Sequence, residues 1–186
     1  MTGIRIRGRL LITELREDRL LSFSELRKAI RDGAAVVVHR SNMIVNVGLE
    51  ALAALLGAGY GTPTVGGTPF DPVTVRNVAV GYMRITDQVT PTLPAEGDTA
   101  LEGTIRWTGH VQIGVGDSTL QVTYPSVGEV NFRTLIPAGD LIGYTLTEEG
   151  LFALDGLKLI ARTTFSYEKT DAYGLQLDHT ITIERV

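Results

Sequence analysis

Cysteine is absent from the 186-residue chain, so neither a disulfide framework nor a thiolate-held zinc or iron-sulfur centre can stabilise it. Histidine is nearly as scarce. His39, His110 and His179 lie far apart, and none has a second histidine or a carboxylate at metal-ligand spacing. No stretch approaches the roughly 18 apolar residues of a membrane-spanning helix, and Arg5, Arg7 and Arg9 stand where a signal peptide would place its apolar core. The expectation is a soluble protein made in a cytoplasm, with no membrane partner. An excess of positive charge is also missing: the formal net charge is −4, which argues against a nucleic-acid partner for the protein as a whole. The basic residues that do cluster, Arg5, Arg7, Arg9, Arg16, Arg19, Arg27, Lys28 and Arg31, are interleaved with Glu14, Glu17, Asp18, Glu25 and Asp32. That mixture describes a solvated or interface-facing segment rather than a phosphate site.

What is present favours strands and turns, with 21 Gly and 7 Pro among many Thr and Val. The broken alternation of Ile4 to Leu15 predicts a strand. Ser22 and Glu25 form the pattern of a capping box and Asp32-Gly33 a stop, predicting a helix over Phe23 to Arg31 with Phe23, Leu26 and Ile30 on its core face. Ala35 to His39 reads as a strand. Asn46 is placed to cap a second helix, Val47 to Leu56, followed by a long loop from Gly57 to Pro72. Strands are then predicted over Val75–Met83, Thr104–Val115, Leu120–Tyr124, Val130–Ile136, Ile142–Leu151, Leu157–Phe165 and Leu175–Ile183, with the second and third forming a hairpin around Gly116-Asp117-Ser118. The fold class expected is mainly β: an antiparallel β-sandwich or jelly-roll-like domain with two short N-terminal helices. Residues 1–40 would form an N-terminal arm or subdomain and residues 41–186 the β module.

Chemistry is hard to find. Gly57-Ala58-Gly59-Tyr60-Gly61 follows a helix and lacks the Lys-Ser/Thr of a phosphate-binding loop. No nucleophile elbow, zinc-protease helix or EF-hand loop occurs. Glu148 and Glu149 are adjacent on a strand and so point to opposite faces. Asp98 and Glu102 could bind a cation or pair with Arg106, and Trp107 fits a core or interface position. No catalytic, cofactor-binding or metal-ligating residue is assigned.

Five segments do form an ordered pattern: Asn42-Met43-Ile44-Val45-Asn46-Val47-Gly48-Leu49; Asn77-Val78-Ala79-Val80-Gly81; Asp98-Thr99-Ala100-Leu101-Glu102 with Arg106; Thr147-Glu148-Glu149-Gly150-Leu151-Phe152; and Gly156 to Phe165. In order and spacing they resemble a bacteriophage tail-associated structural protein, similar to the N-terminal module of tail-collar fibre proteins, over roughly residues 40–186. Tyr82-Met83 after Gly81 departs from that pattern. The resemblance implies a non-enzymatic virion protein that assembles on the tail or baseplate as a homo-oligomer, a trimer being the expectation. Asn42, Asn46, Gly48, Leu49, Gly81, Leu101, Arg106, Gly150, Leu151 and Phe152 would be its interface or structural positions. The alternatives are a capsid decoration protein bound to the major capsid protein, a receptor- or glycan-binding module using Tyr60, Trp107 and the Gly57 to Pro72 loop, and an enzyme using Asp98, Glu102 or Glu148. The expected location is the virion, after synthesis in the host cytoplasm, with no cofactor.

Overall fold

The structure is a computed structural model and describes residues 4–16, 18–33, 37–46, 48–49, 64–65, 68–69, 79–87, 90–111, 119–154 and 156–185. Among these, one helix, α1 (Phe23–Arg31), is accompanied by eleven strands: β1 (Ile4–Leu15), β2 (Val37–Ile44), β3 (Thr64–Val65), β4 (Thr68–Pro69), β5 (Val80–Asp87), β6 (Thr104–His110), β7 (Leu120–Thr123), β8 (Glu129–Ile136), β9 (Thr145–Ala153), β10 (Leu159–Glu168) and β11 (Gly174–Arg185). The protein is mainly β, as its composition predicts.

Helix α1 begins where its local chemistry says it should. The Ser22 hydroxyl accepts from the Glu25 amide while the Glu25 carboxylate accepts from the Ser22 amide, so two otherwise orphaned donors are satisfied together. The Asp32 amide closes the last turn on the Lys28 carbonyl, and Gly33, at φ +68°, takes the left-handed conformation that ends the helix. Of the three predicted core-face residues only Leu26 is buried; Phe23 is half-buried and Ile30 is 41% exposed.

Nine strands form one antiparallel sheet in the order β6-β5-β9-β10-β2-β1-β11-β8-β7, and β3 and β4 form a separate two-stranded ribbon. β2 joins the two halves. Its first part pairs with β1, and its last residues, Met43 and Ile44, pair with β10. The sheet curls until the ends of this order approach each other: Trp107 Nε1 on β6 donates to Thr134 Oγ1 on β8 at 3.4 Å, and the His110 amide donates to Thr119 Oγ1 at 3.0 Å. The enclosed core draws on both halves, with Leu10, Ile12, Phe132, Ile136, Leu175 and Leu177 from one and Met83, Ile85, Leu146, Leu151, Ile160 and Phe165 from the other. Fully burying each such side chain contributes roughly 1.5–3 kcal/mol, so this shared interior dominates stability.

Three expectations need correction. Among the described residues the hairpin predicted between Thr104–Val115 and Leu120–Tyr124 is not seen: β6 pairs with β5 and β7 with β8, while residues 112–118 lie outside the described residues. Alternation reports that a segment is a strand, not which strand it joins. Residues 1–40 do supply the predicted strand–helix–strand order in their described part, yet β1 is hydrogen-bonded on both sides, to β2 and along twelve residues to β11. It is a central strand sharing the common core rather than a separate arm. The strand expected to begin at Ile142 starts at Thr145, because Leu141 and Gly143 take positive φ, 57° and 80°, in a turn closed by the Tyr144 amide on the Leu141 carbonyl, with the Gly143 amide donating to the Lys169 carbonyl. Most of the second predicted helix, the part of the strand from Val75 before Ala79, and nearly all of the Gly57 to Pro72 loop lie outside the described residues.

Candidate functional site

The outer face of the β5-β9-β10 region carries a dense polar network. β9 is buried from Leu146 to Ala153 because both its faces are covered, one by the core and the other by residues 90–103. Glu148, 0% exposed, projects to this outer side, where its Oε2 accepts from Thr86 Oγ1 at 2.9 Å and from the amides of Glu102 at 3.0 Å and Gly103 at 2.7 Å. Its Oε1 accepts two bonds from Arg162, from Nε at 2.9 Å and Nη2 at 2.5 Å.

Arg162 is the hub. Its side chain is 1% exposed and also donates to Asp98 Oδ2 at 2.7 Å, Glu102 Oε1 at 2.9 Å and the Thr92 carbonyl at 3.3 Å. Burial opposes its charge, but the hydrogen bonds to Asp98, Glu148 and Glu102 outweigh that and raise its pKa. Glu102 in turn accepts from the hydroxyl and amide of Thr92, and these bonds, with Arg162 beside them, lower its pKa to about 2. The arrangement fastens the 90–103 segment to the sheet. Both Glu148 oxygens accept hydrogen bonds, and Glu102 is held ionised near neutrality.

A linkage prediction follows from Glu102. Because its folded pKa is depressed from the ordinary value of 4.5 to about 2, its stabilisation is present above pH 4.5 and is lost as pH falls toward 2. Thermal midpoints measured from pH 6 to pH 2 should fall most steeply in that window, and Glu102→Gln should flatten the slope; an unchanged slope in the variant would contradict the assignment.

Beside this hub, four of the five patterned segments meet. Val45, Phe152 and Leu159 form a second buried apolar cluster, with Tyr82 and Leu101 packed against it. Four of the five segments thus contribute one residue each, and the remaining one, ending at Gly81, adjoins the cluster through the next residue, Tyr82. Gly48 lies so close to β10 that a Cβ would collide with the Ile160 carbonyl, and at Gly81 it would come within 2.5 Å of Leu154 Cα. Gly48→Ala or Gly81→Ala should therefore lower stability by about 1–3 kcal/mol in urea unfolding, as overpacking does; a loss under about 0.5 kcal/mol would show that the backbone yields freely. Gly150 and Leu151 continue β9, the former beneath Leu101 and Leu159 and the latter in the main core.

The remaining predicted positions fall elsewhere. Asn42 pairs with Gly8 within the sheet. At the predicted cap of the second helix, whose body lies outside the described residues, the Val45 carbonyl rather than Asn46 opens the turn, accepting from the Gly48 and Leu49 amides at 2.9 and 3.1 Å, and the Asn46 amide donates to the Glu96 carbonyl. Leu49 is 42% exposed. Arg106 pairs with Asp87 at 2.9 Å and stacks on Tyr144 rather than meeting Asp98 or Glu102. Trp107 is half-buried against the core, and Tyr60 lies outside the described residues.

Two buried groups escaped the sequence reading. Glu149 points inward, opposite to Glu148 as adjacency on a strand predicts, and its Oε2 lies 2.7 Å from His179 Nδ1 with both side chains 0% exposed; Glu149 Oε1 has no hydrogen-bond partner. On the outer face under α1, Arg133 Nε donates to Asp178 at 2.6 Å and Nη1 to the Leu21 carbonyl, with Phe23 stacked on the guanidinium. Each partner lies 30 residues or more away along the chain, and no local motif could have announced it. Compared with family models, with curated proteins and with solved structures, the chain matches none of them.

Proposed function

We propose that this chain is a non-enzymatic structural protein of a bacteriophage particle, a β-sandwich-like module that assembles on the tail or baseplate. The observation that carries the reading is the convergence of four of the five patterned segments on one small apolar cluster, which the remaining segment adjoins through Tyr82, with Arg162, Glu148, Asp98 and Glu102 locked beside it. The residues that meet there pack against one another beside an ion-pair network, an arrangement suited to a rigid structural block. In this reading the curled sheet is the rigid block, and exposed apolar side chains such as Leu93, Tyr124, Val127 and Leu157, all at least 78% exposed, become subunit contacts in a trimer.

The test has two parts. Light scattering on the purified chain at several concentrations should give the mass of a trimer, and a monomer throughout would remove that part of the proposal. Mass spectrometry of fractionated particles from a lysate containing this protein should find it with isolated tails. Recovery with tail-less heads would favour the capsid decoration reading, and absence from every particle fraction would overturn both.

A further inference from the structure

On the outer face of the β1-β11-β8 region, away from the Arg162 hub, a groove of about 650 Å³ opens between α1 and the turn joining β7 to β8. Four cationic side chains line it: Arg9 from β1, and Arg27, Lys28 and Arg31 from α1. All four are exposed, and Arg9, Arg27 and Lys28 have no ion-pair partner among the described residues, while Arg31 has only the exposed Asp32 at 3.6 Å. On a chain of net charge −4, this is a local reversal of sign.

The rest of the lining narrows the class of ligand. Phe23 and Pro125 give the groove apolar surface, for which a phosphate backbone has no use. Thr180, 5% exposed, accepts from Asn131 Nδ2 at 3.0 Å, so its own hydroxyl hydrogen is free to be donated. Glu129 stands in the wall, its carboxylate held by Ser126 Oγ at 2.7 Å; it would repel a dense polyanion but can accept a main-chain amide. Basic rim, apolar surface, one donor and one acceptor together match an extended polypeptide bearing carboxylates. Guanidinium groups take carboxylates bidentately, which adds geometric selection to the charge. The volume lies within the range of about 300–1,000 Å³ that holds sizeable ligands rather than single ions.

We propose that this groove is a docking site for an acidic, extended segment of another protein chain, with its carboxylates held by Arg9, Arg27 and Arg31. This assignment stands on the groove alone and is independent of any virion role.

The experiment is a fluorescence-anisotropy titration of the full chain with a labelled peptide of alternating glutamate and valine, beside a labelled oligothymidylate of equal length. The acidic peptide should bind, and the double charge reversal Arg27→Glu with Arg31→Glu should weaken it by about tenfold or more, as should raising the salt from about 50 to about 500 mM. Both substitutions lie on the exposed side of α1, and an unchanged circular-dichroism melt would show that the fold persists. Should that variant unfold, Arg9→Gln on β1 decides in its place, with weakened binding expected. No peptide binding at about 1 mM, binding indifferent to these substitutions, or tighter binding of the oligothymidylate would each overturn the proposal, the last in favour of a phosphate ligand.

Discussion

Replacing Arg162 by leucine is expected to lower the unfolding free energy by about 3–5 kcal/mol, because it strands Glu148 in a site with no access to water and no counter-charge. Domains of this kind have only about 5–15 kcal/mol in total, so the variant should lose a large part of its stability. Asp98 and Glu102 are partly exposed and can rehydrate; Glu148 cannot, and it dominates the loss. Arg162→Lys should fall between, since one ammonium cannot reach Glu148, Asp98, Glu102 and the Thr92 carbonyl together as the planar guanidinium does. Urea unfolding of the three proteins measures the effect. A loss below about 1 kcal/mol for the leucine variant would mean that Glu148 finds another partner or a proton at little expense.

The second large effect is expected inside the core. His179→Leu should also lower stability by about 3–5 kcal/mol, since Glu149 then loses its hydrogen bond while its other oxygen is already unpartnered. The informative case is the double replacement His179→Leu with Glu149→Leu. Exchanging a buried polar pair for apolar side chains of similar volume is often neutral or favourable, so the double variant should be more stable than His179→Leu alone. A double-mutant cycle isolates the coupling. Additive losses would show that the two residues are stabilised separately and that their contact contributes little.

These two networks also mark where sequence reasoning stops. Elements with a local cause were readable. Helix α1 occupies Phe23–Arg31 as the Ser22 and Glu25 capping box and the Asp32-Gly33 stop predict, and β11 follows the alternation of Leu175, Leu177, Ile181 and Ile183. The opposite faces of Glu148 and Glu149 follow from strand geometry alone. Pairing was not readable, because partner choice is a long-range property. Glu102 and Arg106 are near neighbours in sequence, yet Glu102 is held by Arg162 and Arg106 by Asp87. His179 sits among the apolar positions of β11, and its carboxylate partner comes from β9. The basic groove was visible only as a mixed charge run, because the strand that brings Arg9 beside α1 belongs to the middle of the sheet.

The pairing of β1 with β11 has a consequence for synthesis. Ile4 meets Arg185 and every later residue of β1 has its partner on the same distant strand, so the ribosome must deliver almost everything between them before that ladder can close. At about 5–20 residues per second this is a wait on the order of ten seconds, during which β1 exposes an apolar edge to the crowded cell. Such a topology favours slow folding after translation and early escort by a chaperone.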